Sequence, residues 1–336
     1  MSNNTFGIDL GTYNIKIYSK NDDNVFIEKN MIAIENKNNI FAYGDSAYEM
    51  YEKAPSNINI SFPLSNGVIA DIKNMQTLLK LFIGYLEKDN FKPSDFYISV
   101  PTDVTEVEKR AFYDLVKDAG VKAKKIMVVE KAVADGLGLD IDVKNSVGVL
   151  IVNVGYETTE ISILSLGGIV LSKIIKVGGL KFDEAIKNIV RKEYSLFIGG
   201  KTAENVKMSL KDLEAEHKGA VVYGRDIVTG LPVEREIPTK LVDSCLEEHF
   251  NSIIDNIKVI LERTPPELAA DIYRHGIYLT GGASQVNHLA EKIANGTGLR
   301  VNVVSEPTAS IAKGLARIIK DDNYKSVSYS IEGMSK

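Results

Sequence analysis

Two short segments with the same pattern constrain the fold of this 336-residue chain most strongly. The segments at residues 8–11 (IDLG) and 152–155 (VNVG) each combine an apolar residue, an acid or amide, a second apolar residue and a glycine. Polar turn residues and a further strand-like run follow both, which predicts two β-hairpins. A third glycine-rich turn, TGGAS, lies at residues 280–284. The pattern predicts two related halves, each presenting a backbone turn to one ligand between them.

Strand-like and helix-like runs alternate along the remainder of the chain. Thr105 and Glu108 form a capping box that begins one helix, and Gly120 is placed to end it. A later helix is predicted over residues 283–295, and a polar tail after about Lys320 is predicted to be poorly ordered. Strands mixed with amphipathic helices predict an α/β fold with sheets covered on both faces.

Composition and charge exclude several classes of protein. The net charge of -5 argues against a nucleic-acid partner, because a protein that binds a phosphate backbone needs a basic face. Cys245 is the single cysteine, which excludes an internal disulfide, and its place in a helix-like run predicts a packing role. The N-terminus lacks a signal-peptide pattern, and no run of about 18 apolar residues occurs. These features predict a cytoplasmic protein.

The glycine turns suit a phosphate ligand, since phosphate needs backbone N–H groups and small side chains around it. Asp9 is suited to organise water around Mg²⁺, which keeps several of its waters. No GxxxxGK[ST] or GxGxxG motif occurs, so other common nucleotide folds are disfavoured. The alternative interpretation is that the segments are plain hairpin turns. The residues with suitable backbone, hydroxyl or amide groups are Gly11, Thr12, Asn14, Gly155, Thr158, Thr159, Gly281 and Gly282.

Nine motifs along the chain resemble, in the same order, those of the MreB/Mbl family of bacterial actins. The resemblance covers about residues 6–318, and TPPELAADI and GRDIVTGLP are peculiar to the family. The other motifs are GIDLGTYN, NGVIAD, VPTDVTEVEKRA, ETTEISILSLGGIV, GGLKFDEAI, IGGKTAENVK and YLTGGAS.

The resemblance implies an actin-like fold of two halves, each with a large and a small subdomain around an ATP cleft. It implies head-to-tail protofilaments that pair antiparallel, and copolymerisation with paralogous bacterial actins is a further expectation. The implied boundaries are 1–31 and 66–142 for subdomain IA and 32–65 for IB. They are 143–178 and 245–314 for IIA and 179–244 for IIB. Residues 315–336 are expected to return to IA and to end in the polar tail.

The resemblance also implies the residues of the site. The catalytic candidates are Lys131, Glu130 and Thr158. The expected nucleotide contacts are Gly11, Thr12, Tyr13, Asn14, Gly155, Tyr156, Glu157, Thr158, Gly281, Gly282 and Ala283, with Glu204 and Lys207 at the nucleoside. Asp9 and Asn153 are the expected water-mediated contacts of Mg²⁺.

Departures from the family pattern define the functional hypothesis. Asn153 replaces an acid that helps to order the Mg²⁺ shell, and Tyr156 and Glu157 replace two glycines. Lys131 lies where the family keeps the glutamate that positions the attacking water. A charged lysine cannot accept that water's proton, although it can pair with the γ-phosphate. We therefore expect ATP binding with weak or absent hydrolysis; the alternative is that Glu130 takes over as the general base.

These features together predict an ATP-binding, MreB-like filament protein for cell shape or motility. The altered site resembles that of the MreB paralogues of wall-less helical bacteria. Two alternatives are a small-molecule kinase of the same superfamily, for which no acceptor pocket is evident, and a filament protein that assembles without nucleotide. Phe91 is the candidate for a weak peripheral contact with the inner face of the membrane. The alternative is that Phe91 packs under its own loop, because one aromatic ring buries too little area for firm anchoring.

Overall fold

The computed structural model describes residues 4–37 and 39–332, and it contains alternating strands and helices throughout. The first half comprises β1 (Thr5–Leu10), β2 (Asn14–Ser19), β3 (Asn24–Lys29), β4 (Ile32–Glu35), β5 (Asn39–Tyr43), α1 (Asp45–Met50), β6 (Ile58–Ser61), β7 (Leu64–Ser65), β8 (Val68–Ile69), α2 (Ile72–Glu87), β9 (Ser94–Val100), α3 (Glu106–Asp118), β10 (Ala123–Glu130) and α4 (Lys131–Gly138).

The second half repeats the mixture with longer helices. It comprises β11 (Val149–Val154), β12 (Thr159–Ser165), β13 (Gly168–Ile175), α5 (Gly179–Tyr194), β14 (Leu196–Phe197), α6 (Gly200–Ala215), β15 (Ala220–Asp226), β16 (Pro232–Ile237), α7 (Thr239–Glu262), α8 (Pro266–His275), β17 (Ile277–Thr280), α9 (Leu289–Thr297), β18 (Val301–Val303) and α10 (Ser310–Lys320). Short 3-10 turns lie at Gly282–Gln285 and Asp322–Val327. The predicted α/β class is confirmed.

The two predicted hairpins are present, and the five-stranded sheets built on them have matching topology. The strand orders are β10-β9-β1-β2-β3 and β13-β12-β11-β17-β18. In each sheet the hairpin strands are antiparallel, and the first strand of the hairpin also pairs in parallel with a later strand. The Gly11 N–H donates to the Asn14 carbonyl at 3.0 Å, and the Gly155 N–H donates to the Thr158 carbonyl at 2.8 Å. Both turns are therefore closed by the same hydrogen bond, as expected for related halves.

Two small sheets extend from the large ones. One has the order β5-β4-β6 and lies within the predicted subdomain IB, and the other has the order β14-β15-β16 and lies within the predicted subdomain IIB. The exact boundaries of the four subdomains stay predictions. Cys245 lies on α7, is half-buried, and packs against the core of the second half, which confirms its packing role.

Helices α4 and α10 join the halves through a contact between their backbones. A Cβ atom on Gly138 would lie 1.8 Å from the Ser310 carbonyl oxygen, and one on Gly314 would lie 1.7 Å from the Ala134 carbonyl oxygen. Real Cβ atoms do not approach so closely, so both positions require glycine. Residues of both large sheets pack around this helix pair in one apolar cluster, including Tyr97 from β9. The helix pair therefore forms the inner connection between the halves.

The capping signals predicted correctly how α3 begins and ends. The Glu108 N–H donates to Thr105 Oγ1 at 3.2 Å, and the Thr105 N–H donates to Glu108 Oε2 at 2.7 Å, which completes the capping box. Gly120 follows the helix with φ of +74°, the left-handed conformation that glycine adopts without strain.

Two predictions at the C-terminal end are wrong. The helix predicted over residues 283–295 is interrupted, because Val286 is extended and His288 has φ of +64°, so that α9 begins only at Leu289. The tail after Lys320 packs against the protein: Tyr329 pairs with Val128 through backbone hydrogen bonds of 2.7 and 3.0 Å. Ile331 is buried in the core of the first half and Tyr329 packs against it, while Tyr324 and Val327 pack against the cluster around α4 and α10. The predicted tail residues 333–336 lie outside the described part of the chain.

Candidate functional site

A cavity of about 450 Å³ lies between the two hairpins, a volume within the range of small-ligand sites. Every nucleotide contact implied by the family resemblance lines it, as do Asp9, Asn153 and Lys131, whereas Thr159 is buried and its hydroxyl donates to the Val177 carbonyl. Glu130 and Phe91 do not line the cavity. The lining residues that were predicted as nucleotide contacts are Gly11, Thr12, Tyr13, Asn14, Gly155, Tyr156, Glu157, Thr158, Glu204, Lys207, Gly281, Gly282 and Ala283.

The third glycine turn is pressed against the end of β11. Gly281 has φ of +86°, and a Cβ atom there would lie 2.3 Å from the Val154 carbonyl oxygen. Only glycine combines this conformation with so close an approach. The turn and the second hairpin therefore form one continuous wall of the cavity.

The carboxylate of Asp9 is held by two lysines. Lys16 Nζ lies 2.9 Å from Oδ2, and Lys131 Nζ lies 3.5 Å from Oδ1 and donates to the Leu10 carbonyl at 2.7 Å. The Ser99 hydroxyl donates to Oδ1 at 3.0 Å. Burial alone would raise the pKa of Asp9, but the two ammonium groups and the Ser99 hydroxyl outweigh it and lower the pKa to about 2. Lys131 therefore occupies the cavity wall as a paired cation.

Glu130, the alternative general base, is turned away from the cavity. Its Oε1 accepts from Lys109 Nζ at 3.0 Å and from the Tyr329 hydroxyl at 2.8 Å. The side chain therefore joins α3 to the C-terminal segment. The alternative in which Glu130 replaces the missing glutamate loses its geometric support.

Asn153 is bound to an acid that the sequence analysis did not single out. Asn153 Nδ2 donates to Asp135 Oδ2 at 2.6 Å, and the Thr280 hydroxyl donates to the same oxygen at 2.7 Å. Asp135 is 1% exposed, and burial raises its pKa although the nearby polar groups of Ser310, Thr280 and Asn153 act in the opposite direction. The sequence signal that could have identified Asp135 is its position, as an acid within the mostly apolar helical segment that begins at Lys131.

Glu160 is a second acid that the sequence analysis missed. It lines the cavity, and Thr102 contacts its Oε2 through the backbone N–H at 3.5 Å and the hydroxyl at 3.4 Å. Burial raises the pKa of Glu160 to about 7, although the nearby Lys131 acts to lower it. Register could have found this residue, since Glu160 pairs with Asn153 in the second hairpin as Lys16 pairs with Asp9 in the first.

Tyrosines from the first half hold Glu204 of the second half across the mouth of the cavity. The Tyr13 hydroxyl lies 2.7 and 2.9 Å from the two carboxylate oxygens, and the Tyr48 hydroxyl donates to Oε2 at 2.8 Å. Burial raises the pKa of Tyr48 to about 12, so its hydroxyl stays protonated and donates. The ring of Tyr13 also stacks on Tyr156 with centroids 4.5 Å apart. Tyr156 thereby joins the two halves.

Further contacts cross the cleft beside these tyrosines. Glu52 accepts from the Gly200 N–H at 2.8 Å, and Glu157 accepts from the Asn66 N–H. The Glu157 carboxylate is therefore bound to a backbone amide of the opposite half. Lys207 lies deeper, where its Nζ is 2.8 Å from Asp183 Oδ1.

The oxygen donors near the two hairpin turns fit a Mg²⁺ ion held through water. Asp9 and Asn153 lie near the ends of β1 and β11, and both line the cavity. Both oxygens of Asp9 already accept from Lys16 or Ser99, whereas the Asn153 carbonyl oxygen lies beside Gly281. Mg²⁺ keeps several waters and takes few protein ligands, so such a donor set is sufficient. Asn153 would be the principal contact, and Mg²⁺ would neutralise phosphate charge.

Phe91, the predicted membrane contact, packs against its own domain. Its ring lies beside Gly84 of α2 and joins the apolar core of the first half, and its carbonyl accepts from Lys122 Nζ at 2.9 Å. This geometry favours the packing interpretation. Within residues 4–37 and 39–332, no helix is long and apolar enough to cross a bilayer.

Comparisons with known proteins agree with this architecture. The profile of the MreB/Mbl protein family matches residues 3–326. The cell shape-determining protein Mbl of Bacillus subtilis (strain 168) is 36% identical over 312 residues, which cover 92% of this chain and 93% of Mbl. Crystal structures of MreB5 of Spiroplasma citri, bound to ADP and to AMPPNP, superpose with a TM-score of 0.89 at 33% identity, covering 97% of this chain and 98% of MreB5.

A more distant structure agrees at the level of the fold. The MamK double helical filament matches with a TM-score of 0.77 at 22% identity, covering 95% of this chain and 99% of MamK. The predicted actin-like fold is confirmed. With its full-length profile match, its paired hairpins and its cleft, the chain belongs to the MreB/Mbl family of actin homologues.

Proposed function

We propose that the chain binds ATP and polymerises into cytoskeletal filaments that serve cell shape or motility, with weak or absent ATP hydrolysis. The observation that carries the proposal is Lys131, a cation paired with Asp9 in the cavity wall. The family resemblance places this lysine at the position of the catalytic glutamate. The ADP and AMPPNP complexes of MreB5 support nucleotide binding, and the MamK filament supports self-association.

The side chains of the cavity suggest how the nucleotide lies. Glu204 and Lys207 receive the nucleoside, and the phosphates approach the glycine turns and the ammonium groups of Lys16 and Lys131. An ammonium group that pairs with a phosphate oxygen favours binding but cannot accept a proton from water. Because Glu130 faces Lys109, neither group at this corner is placed to activate water. The site retains the nucleotide and turns it over slowly.

The proposed partners follow from the family. Subunits associate head to tail into protofilaments, which pair antiparallel, and paralogous bacterial actins are further partners. The proposed location is the cytoplasm at the inner face of the membrane, where a filament would multiply weak peripheral contacts.

The test combines phosphate release with sedimentation, in ATP and without nucleotide, for the wild type, Lys131→Glu and Lys131→Gln. A positioned general base is worth roughly 10²- to 10⁴-fold in rate, so we expect Lys131→Glu to release phosphate at least about tenfold faster than the wild type. Lys131→Gln, which removes the charge without adding a base, should stay slow. Thermal melting checks that both variants fold.

The outcomes separate the parts of the proposal. Brisk and equal release by the wild type and Lys131→Glu would show that another group performs the chemistry. Sedimentation of the wild type that is the same with and without ATP would show that assembly does not depend on nucleotide. Absence of sedimentation at any protein concentration would overturn the filament function.

A further inference from the structure

A buried acid, Asp135, lies directly behind Asn153. Asp135 belongs to α4, is 1% exposed, and does not line the cavity. Its Oδ2 accepts from Asn153 Nδ2 at 2.6 Å and from the Thr280 hydroxyl at 2.7 Å. The amide of Asn153 thus stands between a buried carboxylate and the cleft.

This contact determines which end of the Asn153 amide faces the cleft. A carboxylate oxygen accepts hydrogen bonds, so the NH₂ group must point to Asp135 and the carbonyl oxygen must point away from it. The structure agrees, because Asn153 Oδ1 lies beside Gly281 in the cavity wall, 2.6 Å from where a Cβ atom of that glycine would be. A hydrogen bond donated to an anion also polarises the amide and makes its carbonyl oxygen a stronger acceptor.

Stability alone does not explain an acid at position 135. Among the described residues, Asp135 Oδ1 is buried without a hydrogen-bond partner. A buried charge that is incompletely paired destabilises a fold, and a neutral residue of similar size would usually be tolerated better. The acid at position 135 is therefore better explained by its effect on Asn153.

We infer that Asp135 is a positioning residue that orients and polarises Asn153, so that the Asn153 carbonyl oxygen holds a water molecule of the Mg²⁺ shell. The inference rests on the proposed binding of nucleotide. The family pattern has an acid at position 153. Here the carboxylate of Asp135, behind Asn153, supplies the negative charge and acts through the Asn153 amide. Thr280 fixes the carboxylate from the adjacent strand.

The test measures the affinity for a fluorescent ADP analogue in Mg²⁺ and in EDTA, and takes the ratio of the two affinities. Removing a residue that orients a metal contact typically weakens metal binding roughly 10- to 100-fold, so Asp135→Asn should reduce the ratio by about tenfold. The exchange variant Asp135→Asn/Asn153→Asp keeps the hydrogen bond but moves the carboxylate to the cleft. It should restore the ratio or raise it above that of the wild type.

Controls distinguish positioning from packing. Asp118→Asn removes one exposed acid of α3 and should leave the ratio unchanged. Asp135→Ala removes the partner without offering a competing amide, and thermal melting reports whether each variant folds. An equal loss of affinity in Mg²⁺ and in EDTA for Asp135→Asn would overturn the inference, because a packing defect does not discriminate between the two conditions. A wild type that binds no nucleotide in either condition would instead overturn the proposed function.

Discussion

The carboxyl group of Glu160 makes the stability of the protein depend on pH. It faces the cavity near Lys131, with long contacts to Thr102, and burial raises its pKa to about 7. A raised pKa means that the folded protein binds the proton more tightly than the unfolded chain. Folding stability is therefore highest below the ordinary pKa of 4.5 and falls as the pH rises through 7. The nucleotide-free cleft thus becomes less stable as its own acid ionises.

Glu160→Gln should remove this dependence on pH. The shift from 4.5 to about 7 corresponds to at most about 3 kcal/mol, so the variant should gain about 1 to 3 kcal/mol relative to the wild type between pH 5 and pH 8. Urea unfolding at the two pH values, without nucleotide, measures the difference. Glu262→Gln, at the exposed end of α7, is the matched control. A parallel change in both variants would show that Glu160 titrates as a surface acid.

For individual residues, the sequence predicted the site positions that lie within motifs. It missed the residues that reach the site only through tertiary contacts. The nucleotide contacts implied by the family motifs line one cavity because backbone turns are encoded locally by glycine and polar residues. Lys16 and Glu160 could have been found from hairpin register. Asp135 could not have been assigned its partner, because its contacts with Asn153 and Thr280 join segments distant in the chain.

The elements that meet across the cleft are the first hairpin, α1 and α6. Their contact centres on Glu204, whose two oxygens together accept from Tyr13 and Tyr48. Lys201 adds a hydrogen bond to the Tyr48 carbonyl and lies 4.2 Å from the centre of the Tyr48 ring. A carboxylate has about four acceptor positions, so a ribose hydroxyl can donate to Glu204 without displacing the tyrosines. These contacts hold the cleft shut beside the cavity where the proposed nucleotide would lie.

Tyr48→Phe should therefore speed nucleotide release while preserving the ring. Loss of one hydrogen bond of about 0.5–1.5 kcal/mol predicts a roughly two- to tenfold higher dissociation rate. Stopped-flow displacement of a fluorescent ADP analogue measures this rate. Tyr43→Phe alters a tyrosine that packs on Phe82, away from the cavity, and should leave release unchanged. Unchanged release in Tyr48→Phe would mean that another step limits dissociation.

Prediction of whole elements was reliable where capping or periodicity was strong. The capping box and Gly120 located α3 because both signals are local. The helix predicted from residue 283 failed because its apolar spacing continues through a turn that the left-handed His288 interrupts. The C-terminal segment was taken as a solvated tail because single apolar residues such as Ile331 give no periodic signal.

The whole molecule consists of two halves that meet at the cleft and at the α4–α10 contact. The matching sheets explain why one motif appears twice in the chain. Helices α4 and α10 both begin in the cavity wall, at Lys131 and Ser310, and their backbones touch at Gly138 and Gly314. Integrity of the molecule therefore depends on a contact that tolerates no side chain.

Gly314→Ala should destabilise the entire protein. The added methyl group would overlap the Ala134 carbonyl oxygen and force the helices apart, and overpacking of this kind typically reduces the free energy of unfolding by about 1–3 kcal/mol or more. Thermal and urea unfolding measure the loss. Gly168→Ala, where a Cβ atom meets nothing closer than 3.9 Å, is the control. Equal stability of the two variants would contradict the rigid contact.

Helix α10, held at the glycine contact, connects the cavity to the surface of the molecule. The N-terminal end of α10 reaches the cavity, and the other end, at Lys320, pairs with Asp23 in the turn between β2 and β3. The 11 residues of α10 span about 16 Å at 1.5 Å per residue. A rotation of about 5° at the cavity end would displace the far end by about 1.4 Å over that length. A rotation of α10 at the cavity would therefore appear as a displacement at the molecular surface.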